Sequence, residues 1–200
     1  AVTNGGRRSS LTGSSAGYIH FDTGVLDASS MLIGVRGGTA SGVMTGEVHI
    51  GGGTVRLGPV SLAQNEVAGG TATYGLLNLY GGDITMSGNI TKVGGVGPAF
   101  ARLMMTNSAV LDMGGFAIGD GVTPIDSLVL ESGTLRNVGE INGGAAWTKS
   151  GAGTLMLEGN NAYAGNLTVA AGTLRYNGTY TGGGLTTVQG GARVPGTGAV

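Results

Sequence analysis

The sequence predicts an all-β protein, a right-handed parallel β-helix (β-solenoid) with about eight rungs of about 20–30 residues and essentially no α-helix. Three observations predict it. Glycine supplies 44 of the 200 residues. Apolar and polar residues alternate over short stretches, and these stretches recur as pairs with a fixed internal spacing.

The glycine content shows that the chain contains many turns. A glycine inside a helix or strand costs about 0.5–1 kcal/mol relative to alanine. Forty-four glycines placed that way would cost more than the net stability of a domain, about 5–15 kcal/mol. A helical bundle is therefore excluded, and the absence of a three-residue glycine period excludes collagen. With 40% hydrophobic and 10% charged residues, the chain also lacks the composition of a disordered protein.

The strands are predicted from alternation of apolar and polar residues over four to six positions, followed by a turn that contains glycine. Residues 47–50, 54–57, 77–79 and 83–86 show the pattern. No stretch of ten or more residues keeps a helical period without glycine, so no helix longer than a turn is expected.

The paired stretches share one spacing, in which apolar residues stand at positions 1, 3 and 8. The sets are Val48, Ile50 and Val55; Leu77, Leu79 and Ile84; Leu103, Met105 and Val110; Leu128, Leu130 and Leu135; and Leu167, Val169 and Leu174. A repeat of this length indicates a solenoid, because a propeller blade needs about 40–50 residues. A β-sandwich would not require a repeated pair at one offset.

The whole chain, 1–200, is predicted to be a single solenoid. Residues 1–15 are interpreted as a linker, a partial rung or a cap. Three stretches that depart from the minimal rung, 58–74, 92–101 and 120–126, are predicted to be loops that leave the rod. Loops on a rigid scaffold are frequent positions of function.

The last quarter of the chain carries an ordered motif. Lys149 is followed by Gly-Ala-Gly-Thr-Leu at 151–155, by a Gly-Asn-Asn segment with Tyr163, and by Gly-Thr-Leu at 172–174. This order resembles the autotransporter-associated β-strand repeat family, most clearly over 147–198. The resemblance implies a bacterial β-helix that is secreted, extracellular or displayed on the outer cell surface.

Composition excludes several classes of partner. The chain has a net charge of −1 and only two lysines, so it lacks the basic surface that binds nucleic acid. No apolar run approaches the ~20 residues of a membrane helix, and no membrane insertion by this segment is expected. Without cysteine there is neither a disulfide framework nor a thiolate metal site.

No catalytic, cofactor-binding or metal-binding residues are predicted. His20 and His49 alternate with apolar neighbours and are expected on the outer face, exposed to solvent. The carboxylates are scattered, and Asp83 and Asp112 occupy different phases of the repeat. The sequence Gly-Asp-Gly at 119–121 is interpreted as a turn rather than a calcium site.

Arginine recurs at one position of the repeat, in Arg56, Arg136 and Arg175, each after an inward residue. These side chains are expected in one row on the outer face. Such a row is either a solvated face whose charge discourages sideways association or a lateral contact with a glycan, another rod or a neighbouring domain.

The leading hypothesis is a non-enzymatic extracellular structural or adhesive solenoid, a rigid rod or a filament-forming surface or matrix protein. Two alternatives remain: a polysaccharide-acting β-helix enzyme, and a glycan-binding module that uses the 58–74 loop. Because no polar cap is recognisable and uncapped strand edges recruit further strands, the expected partner is a second copy stacked end to end, or further rungs of a longer solenoid. Surface glycans are a further expected partner.

Overall fold

A computed structural model describes residues 2–4, 13–38 and 41–195. The strands in chain order are β1 (Val2–Asn4), β2 (Ser15–Phe21), β3 (Val25–Ala28), β4 (Met31–Arg36), β5 (Met44–Ile50), β6 (Thr54–Leu57), β7 (Val60–Asn65), β8 (Thr73–Leu79), β9 (Asp83–Met86), β10 (Ile90–Gly95), β11 (Ala99–Met105), β12 (Val110–Asp112), β13 (Ala117–Ile118), β14 (Ser127–Leu130), β15 (Gly133–Arg136), β16 (Glu140–Ile141), β17 (Trp147–Lys149), β18 (Thr154–Glu158), β19 (Asn160–Asn161), β20 (Leu167–Val169), β21 (Thr173–Tyr176), β22 (Thr179–Tyr180) and β23 (Thr186–Val188).

The strands form a parallel β-solenoid, as predicted. Sheet 1 has the order β2-β5-β8-β11-β14-β17-β20-β23, sheet 2 the order β3-β6-β9-β12-β15-β18-β21, and sheet 3 the order β1-β4-β7-β10-β13-β16. Each rung therefore contributes one strand to each sheet in turn. The right hand of the coil stays a prediction.

The number of complete rungs is smaller than predicted. Five turns, from β2 to β16, contribute to all three sheets, whereas in the next two turns the third strand belongs to a separate pair, β19-β22. The rungs also shorten along the chain. Met44 lies opposite Ser15, 29 residues earlier, whereas Thr186 lies opposite Leu167, only 19 residues earlier.

Helical structure in the described part is one 3₁₀ turn at Asn142–Gly144. No helix among these residues is long and apolar enough to cross a membrane.

The core is a set of inward rows in which equivalent residues stack on adjacent rungs. One row of sheet 1 runs through Val48, Leu77, Leu103 and Leu128, and another through Ile50, Leu79, Met105, Leu130, Lys149 and Val169. Most of these side chains are fully buried. The alternating pattern therefore predicted the inward positions of sheet 1.

The prediction of Val110 as an inward residue of sheet 2 is wrong. Leu111, and not Val110, lies opposite Ile84 and Leu135 and is fully buried. The turn before β12 is one residue longer than its equivalents, and Asn107 in that turn has a φ of 56°. Asparagine tolerates this left-handed conformation better than most residues.

Two of the three predicted loops contain strands. Range 58–74 includes β7 and the start of β8, and range 92–101 includes the end of β10 and the start of β11. The connection that remains in the first case is 66–72. Range 120–126 lies between β13 and β14 and contains no strand.

Of the predicted terminal segment 1–15, residues 1 and 5–12 lie outside the described residues, as do residues 196–198 of the 147–198 repeat. β1 pairs in parallel with β4.

Candidate functional surface

A row of acidic and basic side chains, interrupted by one threonine, runs along the outer face of sheet 2. The residues that are partners on successive rungs are Asp27, Arg56, Thr85, Asp112, Arg136 and Glu158. The prediction that Arg56 and Arg136 share one outward row is confirmed by this register. The same register places Asp83 opposite Val110, so Asp83 and Asp112 lie in different rows, as expected.

Arg175 does not belong to this row, contrary to prediction. It lies opposite Met156, which lies opposite Thr134, and this position is two residues away from the Arg136 row. The reason is that Leu135 stacks on Leu157, so the two Gly-Thr-Leu-Arg segments of the sequence are not in register. A shift of two residues keeps a side chain on the same face of a strand, and Arg175 is accordingly exposed.

The two arginines of the row have different surroundings. The Arg136 Nε and Nη2 atoms each lie 2.8 Å from Glu158 Oε2. Arg56 is exposed, and no residue in the described part of the chain accepts a hydrogen bond from its guanidinium or forms an ion pair with it. The charge of Arg136 is therefore compensated within the protein, and that of Arg56 is directed to solvent.

A pocket of about 250 Å³ opens beside Arg56, at the end of the first three sheet 2 strands. Its polar lining comes from Asp27, Ser29, Arg56, Thr85 and Ser87, which belong to three consecutive rungs. This concavity joins part of the outward row to the corner that leads into sheet 3.

His20 and His49 are partners on adjacent strands of sheet 1, and their ring centroids are 5.8 Å apart. Each ring has its own carboxylate. His20 Nε2 lies 3.1 Å from Asp22 Oδ1, and His49 Nε2 lies 2.8 Å from Glu47 Oε1. Both histidines are outward, as predicted, but only His20 is well exposed, with 66% of its side-chain area accessible against 29% for His49.

A polar cluster around Glu47 was not predicted from the sequence. The Asn78 amide donates to Glu47 Oε1 at 2.7 Å, and Arg102 Nη2 donates to Asn78 Oδ1 at 2.9 Å. These residues lie on β5, β8 and β11, so their proximity depends on the register between rungs of unequal length. Asn78 faces outward yet is fully buried, because its neighbours cover it.

The Gly-Asp-Gly segment forms a turn, as interpreted. The Asp120 carboxylate accepts hydrogen bonds from the backbone N–H groups of Thr123 and Val122, and from the Thr123 hydroxyl. The hydrogen bonds from these N–H groups lower the pKa of Asp120 below its ordinary value. Its acceptor sites are thus used to hold the 120–126 connection.

Two buried side chains, which were not predicted from the sequence, donate hydrogen bonds that fix the connection 66–72. The Asn65 amide donates to the carbonyl oxygens of Pro98, at 2.7 Å, and Thr71, at 3.3 Å. The Arg36 guanidinium donates to the Thr71 carbonyl and hydroxyl oxygens. Arg36 and Asn65 are partners at the ends of β4 and β7. A sequence alignment of the rungs in this register would have placed the two polar residues side by side.

In the last rungs, Lys149 occupies an inward position and is fully buried. Its ammonium group donates to the carbonyl oxygens of Ser150, Gly151 and Ala171 at 2.6, 2.7 and 3.0 Å. All three N–H donors are therefore used. Burial lowers the pKa of Lys149, and the charge of Glu131 opposes that shift.

Comparison with protein families gives a match in this region. The family model described as passenger-associated-transport-repeat matches residues 148–175, which include Lys149 and the strands that it joins. The chain carries an autotransporter-associated repeat. The remaining comparisons, with curated proteins and with solved structures, give no match.

The autotransporter-associated repeat has an aromatic interior. Trp147 packs edge-on against Tyr163 with ring centroids 5.4 Å apart, and Tyr163 lies 4.8 Å from Tyr180. Burial, together with the nearby Tyr176, raises the pKa of Tyr163. Large rings thus fill the core where the rungs are shortest.

Repeats of this kind belong to autotransporter passenger domains, which suggests a secreted or surface bacterial protein, and they are generally non-catalytic. Across the part of the chain that the structure covers, no group of three or more His, Asp or Glu side chains is arranged to hold a metal ion.

Proposed function

We propose that this chain is a non-enzymatic structural or adhesive rod, part of an extracellular or surface-exposed bacterial passenger. The observation that carries the proposal is the unbroken order of eight parallel strands in sheet 1. At ~4.8 Å between neighbouring strands, seven intervals extend the rod by about 34 Å. A closed coil with a continuous core gives reach and stiffness, which are the properties that surface presentation requires.

The distribution of polar groups supports a non-enzymatic role over a polysaccharide-acting enzyme. Such an enzyme needs a pair of carboxylates directed at one bond, and here Asp83 and Asp112 lie in separate rows. Glu47, Asp120 and Glu158 accept hydrogen bonds from neighbouring protein groups. These carboxylates stabilise the rod.

The second alternative, a glycan-binding module that uses range 58–74, is less well supported than an adhesive face. Residues 60–65 and 73–74 of that range are strand, and Thr71 in the remaining connection is fixed by Asn65 and Arg36. An exposed adhesive position is better provided by the outer rows of the sheets.

End-to-end association is a further part of the proposal. Within the described residues, β23 is the outermost strand of sheet 1, and Leu185 beside it is 74% exposed. Such an edge can pair with a second copy or with further rungs. Sedimentation velocity tests this: Leu185→Lys should lower the self-association of the chain, and the control Val122→Lys, at an exposed valine far from that edge, should leave it unchanged. A monomer at all concentrations would contradict self-association.

The adhesive role is tested with beads that carry the purified chain, on films of neutral and acidic polysaccharide. The expected result is retention above that of beads carrying the heat-denatured chain, with no release of reducing ends from the film. Release of reducing ends would support the enzyme alternative. Retention equal to the denatured control on every film would contradict adhesion.

A further inference from the structure

The pocket beside Arg56 has the composition of a site for one sugar residue. Its lining carries the Arg56 guanidinium, the Asp27 carboxylate and the hydroxyls of Thr85 and Ser87. Ala28 and Leu57, whose side chains belong to the core, also border it. A sugar residue presents the complementary groups, since the hydroxyls around its ring exchange hydrogen bonds with such side chains. The volume of about 250 Å³ is slightly below the range of drug-sized pockets.

Two rungs approach closely at the corner that this pocket borders. A Cβ atom at Gly58 would collide with the carbonyl oxygen of Ser29 on the preceding rung. Only a residue without a side chain therefore allows the two rungs to approach at this corner. Ser87 is fixed nearby, because its backbone N–H donates to the Leu57 carbonyl oxygen at 2.7 Å. The lining is thus built from three rigid rungs.

Arg56 provides the specificity. Its guanidinium has no partner in the described part of the chain, in contrast to that of Arg136, which is bound to Glu158. A guanidinium with free donors matches a carboxylate or sulfate group with two parallel hydrogen bonds. Asp27, one rung away, weakens the binding of any anion at Arg56, but it also accepts hydrogen bonds from sugar hydroxyls. An acidic sugar is therefore favoured over a simple inorganic anion, which offers no ring hydroxyls to Asp27.

We propose that this pocket binds an acidic sugar residue, with Arg56 on its carboxylate or sulfate group and with Asp27, Thr85 and Ser87 on its hydroxyls. The inference rests on the proposed adhesive function, since it names the polysaccharide class to which the rod adheres. A polymer that carries one acidic group per sugar would lie across the outer face of sheet 2.

The test is an NMR titration of the full chain with galacturonate, with galactose and inorganic phosphate as comparison ligands. Galacturonate should shift the Arg56 Nε–H resonance and the amides of Thr85 and Ser87, with saturation at millimolar concentration. Phosphate should bind at least tenfold more weakly, and so should galactose. Galactose 6-sulfate distinguishes the two acidic groups, and binding of either acid supports the proposal.

Variants of Arg56 then test whether this residue binds the acidic group. Arg56→Gln should weaken galacturonate binding at least tenfold, and Arg56→Lys should weaken it less, because charge remains but the two-pronged geometry is lost. Arg175→Gln is the matched control, an exposed arginine of the same sheet outside the pocket, and should bind as the parent chain does. Equal binding by Arg56→Gln, equal binding of galactose, or no binding of either acid would overturn the proposal.

The bead assay separates this inference from the broader function. If Arg56→Gln beads are retained on polygalacturonate as well as parent beads are, the rod is adhesive but the pocket is not the site. If parent beads fail on every film while galacturonate still shifts Arg56, the pocket stands and the adhesive function fails.

Discussion

The ammonium group of Lys149 donates a hydrogen bond to the carbonyl oxygen of Ala171, 3.0 Å away on the following rung. The same group binds two carbonyl oxygens of its own turn, those of Ser150 and Gly151. A buried lysine thus joins two consecutive rungs at one corner, inside the segment that matches the passenger-associated-transport-repeat family.

Replacement of this lysine should destabilise the fold. Lys149→Met leaves three inward-facing carbonyl oxygens without a donor, and we expect a loss of ~2–4 kcal/mol in the free energy of unfolding. The control is the other lysine, Lys92→Met, which removes a partly exposed pair with Asp126 and should cost about 1 kcal/mol or less. Urea unfolding at pH 7 measures both. Equal losses would contradict the structural role of Lys149.

The lowered pKa of Lys149 predicts that the free energy of unfolding depends on pH. Its pKa is lowered in the folded state by burial, so over the interval between that pKa and the unfolded value, about 10.4, the unfolded chain binds more protons. Stability contributed by this group should therefore rise with pH in that interval. The difference in unfolding free energy between the parent and Lys149→Met isolates the effect, because all other groups are shared. A difference that shrinks as pH rises would contradict the predicted sign.

The register of sheet 2 can be tested with neighbouring residues. Leu111→Ala removes a fully buried side chain from the core and should cost ~2–5 kcal/mol. Val110→Ala changes a half-buried outward residue and should cost less than about 1 kcal/mol. Denaturant unfolding of the two variants decides between the registers, since the register read from sequence alone reverses the order.

Gly75 in sheet 1 is required because neighbouring rungs approach closely there, and not because of an unusual backbone conformation. A Cβ atom at Gly75 would collide with the Ala63 nitrogen and the Ile33 carbonyl oxygen, so Gly75→Ala should cost on the order of 1–3 kcal/mol or more. At Gly183 nothing lies within 4 Å of an added Cβ, and Gly183→Ala should be within about 0.5 kcal/mol of the parent. Thermal unfolding followed by circular dichroism compares them; equal melting temperatures would disprove the close packing.

The turn at Asp120 gives a second pH prediction. Because its pKa is lowered by the N–H groups of Thr123 and Val122, the folded carboxyl stays ionised to a lower pH than the unfolded one. Its contribution to stability is present above the unfolded pKa and is lost as pH falls through the folded pKa. A ¹³C titration of the Asp120 carboxyl in the folded chain should give a lower midpoint than in a short peptide with residues 118–124. An equal or higher midpoint would contradict the hydrogen bonding.

Prediction from sequence succeeded where side-chain alternation decides the structure. The inward row with Leu77 and Leu103 follows from a two-residue period interrupted by glycines, and stacking in a coil aligns such residues. The same reasoning failed where a turn changes length. The extra residue near Asn107 moves the inward position from the expected Val110 to Leu111. Two similar Gly-Thr-Leu-Arg segments predict a register for Arg175 that the rungs do not adopt.

The polar residues and the proline in range 58–74 predict a loop from sequence alone. The structure shows why a strand is stable there. Asn65 is buried at the end of β7, and its amide is fully used by the Pro98 and Thr71 carbonyl oxygens. Contacts between residues about 30 positions apart decide this corner, and the Glu47, Asn78 and Arg102 cluster depends on the same kind of contact. Local sequence patterns do not contain that information.

The central claim, a rod of parallel rungs in register, is tested most directly by the distance between spin labels at His20→Cys and Thr187→Cys. The chain has no cysteine of its own, so these two sites are labelled alone, and both native side chains are outward and exposed. They stand on the first and last strands of sheet 1. Seven intervals of ~4.8 Å predict a backbone separation of about 34 Å, and the pair Thr148→Cys and Thr187→Cys, two intervals apart, predicts about 10 Å. Separations that grow with the number of intervals support the rod, whereas two similar separations would contradict it.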